Sequence, residues 1–550
     1  MDWQTHEISN QFDELTDYNL YDTDAALREV MERAGAGWAG QDLSRYGATL
    51  GAGQTWQWAA EANRHTPEFD PFDARGRRID RVDFHPSWHA LMRLHRESGS
   101  VSLAFREPQQ RGRWSAWAAH FYMEGQVEAG SMCPLSMTQA SIPVLSKEPG
   151  LWQRYGAKLM SDSYDARDVP IEQKSSIWIG MGMTEKQGGS DVRANTTTAT
   201  PVGAGGRGGD FLIRGHKWFF SAPMCDAHLV VARTADGGPS CFFVPRWRPD
   251  GSKNQVRVQR LKEKVGNRSN SSSEVEFQDA YGILLGEEGR GIPTIIEMAT
   301  YTRLHCVLGS AAMLRQASVQ AIAYARQRKA FGNVLAGQPL MRGVLADLAL
   351  ESEAALVLAM RLTEAYEQPG DPRQRVWQRV MTPAAKFWVC KRAVELTGEA
   401  MEVFGGNGYV DNGPMARLFR EAPVNSIWEG SGNVMCLDVM RAIGREPQAA
   451  FELLDQLAAD AGGDTPVRAE VEALRQMLAT DPAELEGLGR RFAQRLVLTT
   501  QAVLLRKHAP AAVADAFIGT RLDPQWGRVV GAIDTRGIDV NALLQRALPA

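Results

Sequence analysis

MGMTEKQGGSD, residues 181–191, is the stretch on which the reading of the fold turns. Thr184 and Ser190 supply hydroxyls, and Gly188-Gly189 lets the backbone come close to a phosphate. Taken alone, TEKQGGSD reads as a polar turn, so its surroundings decide. It is entered from an apolar run, IWIGMGM. Further short β-type runs follow: DFLIRGHKWFFS, AHLVVART, CFFVPR, NQVRVQRL and SSEVEFQDAYGILL. Turn residues separate them, so the pattern over residues 176–288 predicts a compact antiparallel β-domain.

On either side the period is helical. Residues 1–175 space apolar groups three and four apart in WHALMRLHRE and WAAHFYMEGQVEAG, with breaks such as HTPEFDPFD, and read as an N-terminal helical domain. Residues 289–444 carry unusually long stretches without a breaker, among them PLMRGVLADLALESEAALVLAMRLTEAYEQ and TPAAKFWVCKRAVELTGEAMEVF. Long, closely spaced helices imply an antiparallel four-helix bundle. Residues 445–550 add amphipathic helices such as LGRRFAQRLVLTTQAVLLRK and read as a further C-terminal helical domain. The expected class is α+β, mostly α.

A chain of 550 residues is too long for one hydrophobic core. Its 44% hydrophobic and 23% charged residues exclude global disorder. The opening MDWQTHEISNQFDEL shows no basic stretch leading into an apolar core, and no apolar run approaches the length of a bilayer span. Six scattered cysteines, Cys133, Cys225, Cys241, Cys306, Cys390 and Cys436, fit reduced thiols. The expected location is the cytoplasm, with no membrane association.

Three more segments stand at fixed order downstream: Lys217-Trp-Phe-Phe-Ser221; Arg328-Lys-Ala-Phe-Gly332 followed by Gln338; and Glu402-Val-Phe-Gly-Gly-Asn-Gly-Tyr409, continued by Arg417-Leu-Phe-Arg420 and Ile427-Trp-Glu-Gly-Ser-Gly-Asn433. An aromatic strand is usually core, and Arg328 alone suits a helix C-terminus. Together with residues 181–191, however, these segments resemble the "TEPxxGSD", "KxWITN", "RxxFGxxxxxxQ" and "QxxGGxGY…YEGT" motifs of the acyl-CoA dehydrogenases, in order and spacing over about 260 residues.

That resemblance implies the acyl-CoA dehydrogenase fold and an FAD cofactor. It assigns cofactor contacts to Met181, Gly182, Met183, Thr184, Gly189 and Ser190, and to Phe219, Phe220 and Ser221. It adds Gly406, Ile427, Trp428, Gly430, Ser431 and Asn433. Arg328, Phe331 and Gln338 are implied to reach the FAD of a neighbouring subunit, which makes the protein an oligomer, expected to be a homotetramer. The family removes the α-proton of an acyl-CoA thioester with a carboxylate while flavin accepts the β-hydride. That base maps to Glu429. The alternative position, Ala299-Thr-Tyr-Thr-Arg303, offers only Glu297 nearby. Trp428 stands in place of the usual Tyr, Lys186 in place of the motif proline, and Glu402 in place of a Gln. No CoA-gripping set is traceable.

Two other patterns are decoys. Gly203-Ala-Gly-Gly-Arg-Gly208 matches GxGxxG but leads into a strand, so it reads as a hairpin connection. His85 and His89 lack a third ligand at motif spacing, so no metal site is expected.

The wording of MGMTEKQGGSDVRANTTTA, HKWFFSAPMCDAHLVVA, KVGNRSNSSSEVEFQDA and NSIWEGSGNVMCLDVMRAI is similar to the AidB group, the alkylation-response members of the family. This closer resemblance implies weak dehydrogenase activity and double-stranded DNA as a partner bound through the C-terminal helices. The tail's charge is uneven. Residues 445–489 hold three Arg against ten Asp and Glu; residues 490–550 hold nine Arg and Lys against four Asp. The DNA candidates are Arg441, Arg490, Arg491, Arg495, Arg506, Lys507, Arg521, Arg528 and Arg536, and no base-reading module is evident. The alternative is a solvated helical face paired with the acidic half of the same tail. A metabolic acyl-CoA dehydrogenase without a DNA role stands as the second functional reading.

Overall fold

The computed structural model describes residues 5–235, 238–527 and 529–549. The chain divides into two compact units. One gathers Met1–Trp56, Trp114–Val127 and Cys306–Ala550; the other gathers Gln57–Arg113 and Glu128–His305.

The second unit is built on seven strands: β1 (Ile179–Gly182), β2 (Thr198–Pro201), β3 (Asp210–Ser221), β4 (Ala227–Thr234), β5 (Gly238–Pro245), β6 (Val256–Leu261) and β7 (Ser272–Leu285). Their order is β1-β4-β2-β3-β7-β5, with β6 paired to β7. Strand β5 returns to pair with β4, which closes β4, β2, β3, β7 and β5 into a barrel. Alternating aromatic and β-branched residues fill it, among them Phe211, Ile213, Phe220, Phe242, Val275 and Phe277. The expected sheet was antiparallel throughout, but β1 and β2 each run parallel to β4. Parallel neighbours need a long connection, and the β2–β3 hairpin supplies it for β1. The glycine-rich 203–208 segment is the loop of that hairpin, and Gly203, Gly205, Gly206 and Gly208 take positive φ there.

A helix, Pro86–Glu97, aims Arg96 into this unit with no exposed surface. Its guanidinium donates to the carbonyls of Ser161 (2.6 Å), Leu159 (2.8 Å), Lys158 (3.1 Å) and Ile177 (3.1 Å) and lies 4.9 Å from the Trp178 ring. It thereby fixes the entry to β1. His89 bonds Tyr164 Oη at 2.6 Å and His85 stacks on His65; no metal-binding group is found among the described residues.

The first unit is helical: α1 (Gly291–Gln327, from Cys306 on), α2 (Pro339–Glu364), α3 (Thr382–Val403), α4 (Pro414–Ile427) and α5 (Gly432–Arg445). α2 is buried nearly all round, so its Asp347 and Glu351 are enclosed along with its apolar residues. Polar ties cross the bundle: Ser318 Oγ donates to Leu348 O (3.2 Å), and Asn425 Nδ2 donates to Ser310 Oγ (3.2 Å).

The tail continues as α6 (Pro447–Asp460), α7 (Thr465–Leu478), α8 (Gly489–His508), α9 (Ala511–Arg521) and α10 (Val540–Ala547). It packs on the bundle, α8 against α2 and α3 and α10 against α2. No helix among the described residues is long and apolar enough to cross a membrane.

Candidate cofactor site

In the barrel unit the first two motifs are one construction. Met181 and Gly182 end β1; Met183 and Thr184 open the loop, and the Thr184 carbonyl accepts from Trp218 N at 2.8 Å. Gly189 folds back onto Thr184: a Cβ there would lie 2.5 Å from Thr184 Oγ1. Ser190 is exposed on the same loop. Holding loop to strand is a pair that sequence reading missed. Lys217 donates to Glu185 Oε1 at 2.8 Å, and neither side chain is exposed. Glu185 also accepts from Thr196 N (2.7 Å) and Thr197 N (3.2 Å). Burial opposes its charge, but Lys217 and these amides outweigh burial and hold the carboxyl well below its usual range.

Strand β3 slips register between Lys217 and Phe220, so both point inward while the two residues between them stand outside. Phe219 is half exposed, beneath Lys262 at 4.6 Å. Phe220, expected beside the cofactor, is instead a core residue stacked on His228 at 3.9 Å. Ser221 accepts from His228 Nε2 through its carbonyl at 3.2 Å.

In the helical unit the candidates fall in two places. Arg328 bonds the Asn10 carbonyl, Gln338 Nε2 donates to Ala330 O (3.0 Å), and Asn407, next to Gly406, donates to Gln11 Oε1 (2.9 Å). The segment Asn10-Gln11 thus joins the Arg328 and Gly406 groups. Phe331 sits there at 96% exposure on a positive φ of 52°. A phenylalanine held out on strained backbone has a surface to present to a ligand or partner. The second place is the turn from Ile427 to Asn433, at the far end of α4. The 14 residues of α4 set it about 21 Å away.

That turn carries Glu429 at a positive φ of 59°, a second strained non-glycine residue. Lys386 Nζ fixes the next carbonyl, Gly430 O, at 2.8 Å. The Trp428 indole donates to Asn425 Oδ1 at 3.0 Å, and Ile427 is largely exposed. Ser431 holds the cap position of α5 without a side-chain capping bond, and Asn433 stands in the first turn after Gly432.

The tail arginines are mostly spoken for. Arg495 pairs with Glu470 (2.8 Å), Arg506 with Asp464 (2.8 Å) and Asp515 (2.6 Å), and Lys507 with Asp460 (3.0 Å). For these three the pairing with the acidic half of the tail is what the structure has. Arg521 is buried against Asp347 and Glu351 of α2, so it presents no surface to a phosphate. Arg536 pairs with Asp534 (2.7 Å), Arg441 with Asp438 (3.2 Å), and Arg490 bonds Asn433. Arg491 is exposed, and Arg528 lies outside the described residues.

Within the barrel unit, the Thr184 and Ser190 hydroxyls and the close backbone at Gly189 fit a phosphate-bearing cofactor such as a flavin dinucleotide. Within the helical unit, Arg328 carries the planar fork that suits a pyrophosphate. The chain matches three family models: the N-terminal domain of the adaptive response protein AidB over residues 10–166, the acyl-CoA dehydrogenase middle domain over 180–280, and the acyl-CoA dehydrogenase C-terminal domain over 289–444. It is 47% identical to the protein named AidB in Escherichia coli (strain K12), over 96% of each chain. The solved structure of Bd2924 in its apo-form superposes with a TM-score of 0.84 at 27% identity, covering 90% of this chain and 99% of that one. ACDH-11 of Caenorhabditis elegans, solved with C11-CoA, shares the fold at TM-score 0.84 and 22% identity, over 99% of this chain and 93% of that one. The chain belongs to the AidB branch of the acyl-CoA dehydrogenase flavoproteins, with FAD as its cofactor.

Proposed function

We propose that this protein binds double-stranded DNA without sequence preference and protects it from alkylation damage, while keeping a weak acyl-CoA dehydrogenase-type site at Glu429. The observation that carries this reading is the reach of the likeness. The acyl-CoA dehydrogenase C-terminal model stops at residue 444, whereas the match to E. coli AidB runs over 529 residues, 96% of the chain, and so extends into the tail. The tail is therefore shared with AidB and lies outside the dehydrogenase model. Arg445 at the end of α5 and Arg491 in the first turn of α8 have no tail carboxylate partner among the described residues. Both are exposed, and the start of α8 at Gly489 packs against Met440 and Cys436 of α5.

At the dehydrogenase-type site, bound FAD supplies the hydride acceptor. Glu429 takes the α-proton of a thioester, held on a turn that Lys386 pins at the Gly430 carbonyl. Trp428, fixed by Asn425, narrows the approach and restricts the acyl group. The protein works as a homotetramer in the cytoplasm. Assembly is what would let Arg328, Phe331 and Gln338 meet a neighbouring subunit's FAD, and the 96% exposure of Phe331 supports it. Six buried free cysteines agree with a reducing compartment.

The test is binding of the full chain to random duplex across a salt series. Retention at low salt with a steep salt slope supports the reading, and no binding at low salt overturns it. Truncation at Gly444 is a poor substitute, because it strips Arg521, the ion-pair partner of the buried Asp347, from α2. The strained Glu429 turn favours a second reading, a metabolic acyl-CoA dehydrogenase without a DNA role. Rapid anaerobic bleaching of the flavin by an acyl-CoA would select it.

A further inference from the structure

Arg490 reads in sequence as the first of a row of DNA-contacting arginines, but its surroundings belong to the cofactor turn. It opens α8 and donates through Nη1 to Asn433 Oδ1 at 2.8 Å. Its guanidinium lies 5.1 Å from the Phe387 ring of α3, which gives the planar cation a face to rest on. Arginine has no acceptor, so this bond settles which end of the Asn433 carboxamide faces it. The oxygen is taken by Arg490, and the amide nitrogen, a donor only, is the end left for a ligand.

The first turn of α5 is crowded on the same side. A Cβ on Gly432 would lie 2.8 Å from Lys391 Cε and 3.4 Å from the Phe387 ring, so this glycine lets Lys391 cross the helix start. Lys391 Nζ reaches Ser426 Oγ at 3.3 Å. Burial pushes the thiol of Cys436, one turn along α5, up to about 11, against the pull of both Arg490 and Lys391. Two cations therefore flank the positive end of a 14-residue helix whose cap, Ser431, makes no side-chain capping bond. That is an environment for an oxygen acceptor.

We infer that Arg490 is a positioning residue for the flavin: it fixes the carboxamide of Asn433 so that the amide nitrogen donates to an oxygen of the cofactor, tying the C-terminal tail to the redox site. The inference rests on FAD lying against the Ser431–Asn433 turn. Arg490 lies outside the acyl-CoA dehydrogenase C-terminal model, so this role is contributed by the tail. With its guanidinium engaged by Asn433 and Phe387, Arg490 is also withdrawn from the row that faces a DNA backbone.

The test uses the full-length protein freed of flavin and titrated with FAD, alongside duplex-DNA binding and the melting temperature of the apoprotein. Arg490→Gln lets the Asn433 carboxamide turn over. It is expected to weaken FAD binding about tenfold, the scale of one hydrogen bond to a charged group. The apoprotein's melting temperature and the salt slope of DNA binding should stay as in the wild type. Asn433→Ala should lose a similar factor, the double variant no more than either, and Arg490→Lys should recover most of the affinity. Unchanged FAD affinity in Arg490→Gln overturns the inference. So do fully additive losses in the double variant, or a loss of DNA binding with FAD affinity intact. Wild-type protein that takes up no FAD would remove the flavin reading itself and the inference with it, and the wild-type titration alone tells that case apart.

Discussion

Lys217 Nζ lies 2.8 Å from Glu185 Oε1 inside the barrel unit, with neither side chain exposed. The pair bolts the loop of the first motif to the strand of the second. Removing one partner leaves an uncompensated charge in a dry interior, which costs about 3–5 kcal/mol. Lys217→Met is therefore expected to lower unfolding free energy by that amount in a denaturant titration and to loosen FAD. Replacing both, as Lys217→Met with Glu185→Leu, should recover part of the stability because no charge is stranded. A single variant as stable as the wild type would show that water reaches the pair.

Acid should weaken the barrel for a separate reason. Burial holds the His228 imidazole, stacked on Phe220, down at about 3, and holds His305 at about 3 as well. Unfolded, each takes up a proton near its ordinary value of about 6.5. The folded state thus binds fewer protons between those values, so stability is complete above about pH 6.5 and is lost as pH falls towards 3. Each histidine contributes a slope of up to about 1.4 kcal/mol per pH unit in that window. Denaturant midpoints between about pH 7 and about pH 5 measure it, and His228→Asn should flatten the dependence.

Glu429 sets local strain against function. Its φ of 59° is disfavoured for a side chain with a Cβ and natural for glycine. Glu429→Gly is expected to raise stability by about 0.5–1 kcal/mol through relief of that conformation. The same variant, and Glu429→Gln with it, should abolish flavin bleaching by acyl-CoA while keeping FAD bound. Bleaching that survives in Glu429→Gln would move the base elsewhere.

What sequence made legible was local. The motifs at 181–191, 217–221, 328–338 and 427–433 were readable because each is a short run whose chemistry is complete in itself. The buried ion pairs were not. Glu185 and Lys217 are 32 residues apart, and Arg521 is 170 from Glu351, so each charge looks solvated until the fold brings in its partner. Arg96 gives no sequence signal at all, because its partners are backbone carbonyls. Phe220 was misplaced because a register slip is invisible in a run of aromatics. In the tail, nine cations in 61 residues suggested one basic surface, but Arg495, Arg506 and Lys507 pair with Glu470, Asp464 and Asp460 of the same tail, and Arg521 pairs with Asp347 and Glu351 of α2.

That last difference separates two kinds of tail arginine by experiment. Arg521, buried between Asp347 and Glu351, holds the tail to α2. Arg521→Met strands Asp347, while Glu351 keeps Arg392 at 3.3 Å, and is expected to cost about 3–5 kcal/mol, with any loss of DNA binding following from a loosened tail. Arg491 is exposed on α8. Arg491→Glu should change stability by no more than about 0.5 kcal/mol yet lower the salt slope of duplex binding by about one. Arg506→Ala should fall between, losing its pairs with Asp464 and Asp515 while leaving the slope unchanged. If the slope drops for Arg506→Ala and not for Arg491→Glu, the acidic partners are released when DNA binds, and the paired arginines form the contact surface.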